Sequence, residues 1–216
     1  MDYNFIKNVE KKLAGPLPGK DAQRKMSNAF RPVDTIIPDN VRQAGVLALF
    51  YPKAEDWHLV FIERTSKNKN DRHRGQISFP GGKFEENDGV LSQTAIREAE
   101  EEIGVKSNDI HLLGELTQLH VPVSNFLVSP FVGFLEYTPN FTPQETEVSE
   151  VLEVPFQRFS EKGVLKQKDL KISEGFVIPK VQYFDIHDKV LWGATAMMMS
   201  ELLEVLEVHP LSAISK

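Results

Sequence analysis

The stretch Arg97-Glu98-Ala99-Glu100-Glu101-Glu102-Ile103-Gly104-Val105 decides how the chain is read. At about 100° per residue on a helix, Glu98, Glu101 and Glu102 fall within about 100° of one another. Glu100 points elsewhere. Ile96, Ala99 and Ile103 form the opposite, apolar stripe that docks a helix onto a sheet. Gly104 is the expected C-cap, and the helix is expected from Leu91 to Ile103. Like charges on one face repel by tenths of a kcal/mol per exposed pair. A hard divalent cation, Mg²⁺ or Mn²⁺, takes oxygen ligands and offsets that repulsion. Arg97 lies four residues before Glu101 and is placed to pair with it.

Outward from this helix the chain reads as short strands. Upstream, β-forming runs fall at Ala44–Tyr51 and His58–Glu63, then briefly at Gln76–Phe79 before Pro80-Gly81-Gly82. Downstream, strands are expected at Ile110–Thr117, Leu127–Tyr137, Val151–Val154 and Gly175–Phe184, and a last helix from Gly193 to Val208. Strands mixed with a few helices predict an α/β (α+β) fold, an α/β/α sandwich around a mixed sheet. Phe5, Ile6, Val9 and Leu13 have helical spacing near the start. Gly15, Pro16, Pro18 and Gly19 end that helix, and the segment to Asn40 reads as an extended arm. The expected division is therefore 1–40, helix and arm, and 41–216, the main domain.

Composition narrows the function classes. The chain has 216 residues, 41% hydrophobic and 26% charged, enough for one packed core. The longest apolar run, Ala44–Tyr51, has eight residues even with Gly45 counted as neutral filler; a bilayer span needs about 20. No membrane partner is expected. The first ten residues mix acids and bases, unlike a secretory leader. With no cysteine, thiolate chemistry and disulfides are excluded, and a cytoplasmic home is expected. A net charge of −6 argues against gripping nucleic acid. It does not argue against a phosphorylated ligand, because a bound cation reverses the sign of a local site.

The carboxylate helix and the glycines before it resemble the Nudix box, a glycine-led loop followed by Arg-Glu-x-x-Glu-Glu-x-Gly. The common form has 13 residues between glycine and arginine; here 14 separate Gly82 from Arg97. Counted back from Arg97, the usual loop glutamate falls on Gly89, and Asp88 is the nearest acid. The resemblance implies that Glu98, Glu101 and Glu102 bind Mg²⁺ or Mn²⁺, that Gly81 adds a backbone carbonyl, and that the activity is water attack on a diphosphate linking a nucleoside to another group. The general base is open between Glu101 or Glu102 on the helix and Glu147 or Glu145 in the loop Pro143-Gln-Glu-Thr-Glu-Val-Ser-Glu150.

Further segments resemble the coenzyme A pyrophosphatases within that family: Arg64-Thr-Ser66, the basic stretch Arg72-His73-Arg74, Gly75-Gln-Ile-Ser-Phe-Pro-Gly-Gly82, Glu147 to Pro155, and Trp192-Gly-Ala-Thr-Ala196. The implied substrate is coenzyme A or acyl-CoA, with Arg64, Arg72, His73, Arg74 and Gly82 in contact with it. Arginine grips phosphate bidentately, and close backbone approach to phosphate requires glycine. Trp192 is expected as a core anchor rather than a stacking platform, and Met197, Met198 and Met199 as core filler. A small-molecule nucleotide is the expected partner, and a homodimer is left open. The rival readings are a Nudix hydrolase for ADP-ribose, a dinucleotide or an oxidised nucleotide, and a catalytically silent nucleotide-binding module.

Overall fold

In the computed structural model, residues 2–28, 32–65, 75–173 and 176–212 are described. The central strand is β1 (Arg42–Lys53), antiparallel to β2 (Asp56–Arg64) and parallel to β7 (Phe126–Phe134). With β3 (Ile77–Ser78) and β5 (His111–Glu115) the sheet runs β3-β2-β1-β7-β5. Three further strands join it: β4 (Gly81–Lys83) on β1, β6 (Leu119–Val121) on β7, and β8 (Val148–Pro155) on β2. A second sheet is built on the long hairpin β9 (Lys162–Ser173) and β10 (Phe176–Ile186), with β11 (Lys189–Leu191) alongside β10.

The period-2 pattern of β1 explains the layers, because successive side chains leave a strand on opposite faces. Leu47, Leu49 and Tyr51 face α3 (Leu91–Ile103), where they pack with Ala95, Ile96, Ala99 and Ile103. Ala44, Ala48 and Phe50 join the other core, shared with α1 (Asn4–Leu13) and α4 (Gly193–Val205). Helices therefore cover both faces of a mixed sheet, as expected. Met197, Met198 and Met199 are buried in the second core, as read from the sequence.

The N-terminal segment differs from the expected extended arm. It contains α2 (Gly19–Arg24), a helix too short for hydrophobic periodicity to register. Packing against α4 holds it: Ser200 Oγ donates to the Ala22 carbonyl at 2.8 Å, and Gln23 Nε2 donates to Glu201 at 2.8 Å and to the Thr117 carbonyl at 2.9 Å. Ile6, Val9, Leu13, Met26 and Val33 are all buried in the core shared with α4. The 12-residue strand β9 was not expected either. Its sequence, rich in lysine and without a run of β-formers, is largely solvent-exposed, so pairing with β10 rather than its own pattern makes it a strand.

Candidate active site

Three chain segments meet with almost no space between them. A Cβ on Gly45 of β1 would lie 2.4 Å from the Leu91 carbonyl, so the first turn of α3 touches the backbone of the central strand. Gly81 has φ +150°, and a Cβ there would lie 2.4 Å from the Gly45 carbonyl. A Cβ on Gly82 would lie 2.4 Å from the carboxyl carbon of Glu98. Close backbone approach, for which glycine is the default residue, thus presses the carboxylate face of α3 against the Gly81–Lys83 strand. Gly45, neutral filler in the apolar run, is the residue that lets the helix sit there.

Arg97 organises the acids. Its Nε donates to Asp88 Oδ1 at 2.7 Å, and its other nitrogens lie 3.0 Å from Glu98 Oε1 and 3.0 Å from Glu101 Oε2. It also donates to the Lys83 carbonyl at 3.2 Å. The expected Arg97–Glu101 pair is present as one arm of this larger hub. Asp88 is the anchor: the Thr94 hydroxyl donates to it at 2.8 Å and the Glu85 N–H at 2.9 Å. The Arg97 hydrogen bond holds its carboxyl well below the ordinary carboxylate range. Gly89, where the usual loop glutamate would fall, has φ +71° and turns the chain between Asp88 and α3.

Glu102 is not on an open face. It is 2% exposed, accepting from the Gly81 N–H at 2.8 Å and facing Arg64 at 3.4 Å. Burial pushes its carboxyl up to about 7, against the Gly81 and Arg64 contacts, and the charges of Glu98 and Glu147 add to the rise. Glu98 is also raised, mainly by burial, with Arg97 opposing and Glu101 and Glu147 adding to it. The ordinary value for Glu102 is 4.5, so its folded pKa lies above its unfolded one. Its stabilising contribution is therefore complete below about pH 4.5 and lost as pH rises through about 7. In EDTA, the melting temperature is expected to fall across that window by the equivalent of roughly 2–4 kcal/mol. Glu102→Gln is expected to flatten the fall; the same slope in both proteins would exclude Glu102 as its source.

The other expected residues are distributed as follows. Glu147 is exposed in the turn before β8 and near enough to raise Glu98 and Glu102. Its loop is docked on the last turn of α3: the N–H groups of Thr142 and Gln144 each donate at 3.0 Å, to the Ile103 and Glu102 carbonyls respectively. Glu145 is exposed in the same loop. Arg72, His73 and Arg74 lie outside the described residues. Among the described residues, no three His, Asp or Glu side chains close into a metal-binding group. Arg97 draws Glu101 and Glu98 toward itself, and Glu102 is turned to Gly81 and Arg64. The donor chemistry nevertheless fits a hard cation: all three helix acids offer oxygen, and the partly buried Glu98 and the buried Glu102 are held against mutual repulsion that a divalent charge would relieve.

Beside the carboxylates opens a cleft of ≈ 420 Å³. Arg42, Arg64 and Lys83 give it cationic groups, and Ala44, Val46, Phe79, Val128 and Met198 an apolar lining. Trp192 also lines it and is half-buried, so the expected core anchor is in fact part of the cleft wall. Arg42 and Lys83 were missed in the sequence. They sit 41 residues apart, and only the pairing of Ala44 with Lys83 brings their ends of β1 and β4 together.

Against known proteins, residues 41–176 match the NUDIX domain family. The chain is 32% identical over 182 residues to the uncharacterized Nudix hydrolase NudL of Pectobacterium atrosepticum, covering 83% of this chain and 88% of the relative. It is 33% identical over 137 residues to the protein of the same name from Yersinia enterocolitica, covering 63% and 69%. Among solved structures, a Nudix hydrolase from M. smegmatis, RenU, shares the fold with a TM-score of 0.54 at 14% identity, covering 81% of this chain and 90% of that one. The chain belongs to the Nudix family. It is a pyrophosphohydrolase acting on a nucleoside diphosphate derivative, and enzymes of this family use divalent metal ions. No helix among the described residues is long and apolar enough to cross a membrane.

Proposed function

We propose that the protein hydrolyses the diphosphate of coenzyme A or an acyl-CoA to adenosine 3′,5′-bisphosphate and the (acyl-)4′-phosphopantetheine. The observation that carries this reading is the cleft itself, in which cationic side chains border an apolar lining directly beside the carboxylate helix. Coenzyme A has the matching character, three phosphates at one end and a long neutral arm at the other. Arg64 and residues of the segments Gly75–Gly82 and Trp192–Ala196, which carry the subgroup resemblance, line that cleft.

In this reading Glu98, Glu101 and Glu102 hold Mg²⁺ or Mn²⁺, with the Gly81 carbonyl beside them. The bound cation supplies neutralisation of the diphosphate oxygens and acidification of the attacking water. Arg97, anchored on Asp88, fixes the directions of Glu98 and Glu101. The Gly81 N–H fixes Glu102. Arg64 stands between Glu102 and the cleft, where it meets a substrate phosphate; Arg72, His73 and Arg74 are the further phosphate contacts. Gly82, which makes room for the Glu98 carboxyl, lines the cleft and meets the phosphates there. The proton of the attacking water passes to a carboxylate, Glu101, Glu102 or Glu147, each beside the same site.

The test is product analysis with coenzyme A and Mg²⁺ or Mn²⁺. Adenosine 3′,5′-bisphosphate and 4′-phosphopantetheine in equal amounts are expected. Brisk cleavage of ADP-ribose, a dinucleotide or an oxidised nucleotide with none of coenzyme A would overturn the substrate while keeping the hydrolase. No hydrolysis of any of them would favour the silent binding module.

A further inference from the structure

Each described arginine except one faces a carboxylate. Arg24 is paired with Asp21 and Asp34, Arg64 with Glu102, Arg97 with Asp88, Glu98 and Glu101, and Arg158 with Glu161 and Asp185. Arg42 has no acidic partner among the described residues. Its guanidinium is nevertheless held in place. It lies over the Phe126 ring, 4.1 Å from the centroid, and donates to the Ser124 carbonyl at 2.5 Å. Stacking on an aromatic face and one carbonyl bond orient the planar fork without neutralising its charge. Both Arg42 and its ring platform line the cleft.

Val46 is paired with Gly81, whose N–H binds Glu102, so Val46 marks the level of the carboxylates. Arg42 is four residues earlier on the same face, about 13 Å along the strand at 3.2–3.4 Å per residue. Lys83, opposite Ala44, lies between these levels, and it too has no carboxylate partner among the described residues. A cation fixed in orientation, unneutralised and set apart from the reacting end is built for an anion carried elsewhere on the same ligand.

We propose that Arg42, with Lys83, forms a second anion subsite that reads a phosphate remote from the scissile diphosphate. Resting on the coenzyme A reading above, that group is the 3′-phosphate of the ribose. The subsite separates coenzyme A from nucleoside diphosphate compounds that have no such phosphate. The fork of Arg42 binds it bidentately and Lys83 adds a point charge.

The experiment measures kcat/KM for coenzyme A and for 3′-dephospho-coenzyme A in the wild type, Arg42→Ala, Arg42→Lys and Lys83→Ala. The wild type is expected to prefer coenzyme A by about 10- to 150-fold, the range of one charge-assisted hydrogen bond. In Arg42→Ala that ratio is expected to collapse toward one, chiefly through KM for coenzyme A. Arg42→Lys, which keeps a charge without the fork, and Lys83→Ala are expected to fall between. Because both substrates are measured on the same preparation, a loss of folded protein cancels in the ratio. A wild-type ratio near one, or a ratio that survives Arg42→Ala, would overturn the subsite while leaving the coenzyme A reading standing. Cleavage of neither compound would remove both.

Discussion

Glu102→Gln is expected to lower kcat by at least about 10²-fold, the scale on which a positioned charge-stabilising group acts, with no loss of folded protein. The amide keeps an oxygen for the Gly81 N–H at the position now 2.8 Å away. It removes an ionisable carboxyl that is 2% exposed and whose pKa is raised chiefly by burial, with the charges of Glu98 and Glu147 adding to the rise. Lost activity without lost stability is the signature of a side chain kept for its charge. Glu101→Gln is expected to show the same size of effect by a different route, since Glu101 is more than half exposed and tied to Arg97. Glu100→Gln is the internal control: Glu100 is exposed on another face of α3, and its turnover is expected to stay near wild type. Steady-state kinetics across a Mg²⁺ titration checks all three. Near-wild-type turnover in both Glu101→Gln and Glu102→Gln would dismantle the proposed cation site.

A chain beginning at residue 41, where the family match starts, is expected not to fold. Ile6, Val9, Leu13, Met26 and Val33 are buried in the same core as α4. Fully burying a side chain of this size contributes about 1.5–3 kcal/mol, so losing five removes roughly 10 kcal/mol, comparable to the whole stability of a typical domain. The first residues also seal an aromatic cluster. Phe5 lies 5.4 Å from the rings of both Phe50 and Phe156, and the Trp57 indole donates to the Asp2 carbonyl at 3.1 Å. Truncation would also leave Glu201, fully buried, without Gln23. Calorimetry of the 41–216 fragment is the check, with Leu13→Ala, expected to cost about 2–5 kcal/mol, as the graded version. A fragment that melts cooperatively near the full-length temperature would show that the first 40 residues are dispensable.

The contrast between these two regions shows what the sequence makes legible. Helix α3 matched its expected bounds because an apolar stripe, a charged face and a terminal glycine all act locally. The burial of Glu102 was not legible: a helical wheel groups it with Glu98 and Glu101, but what covers it is Gly81 and Arg64, 21 and 38 residues upstream. Asp88 was visible only as the nearest acid; its role appears once the turn at Gly89 brings it onto Arg97. Helix α2 has too few turns to show a period, and its burial depends on α4, far along the chain. Arg42 and Lys83 became neighbours only through strand register.

Strand β1 divides two tasks between its odd and even positions. Leu47, Leu49 and Tyr51, with Gly45, form the bed on which the carboxylate helix lies. Arg42, Ala44 and Val46 face the ligand cleft. Inserting or deleting one residue would exchange the two sets and ruin both at once. Substitution is another matter, because a change at an even position leaves the bed untouched. A lineage of such enzymes can therefore alter what it recognises by editing the cleft-facing positions Arg42, Ala44 and Val46 of one strand while its hydrolytic chemistry stays in place.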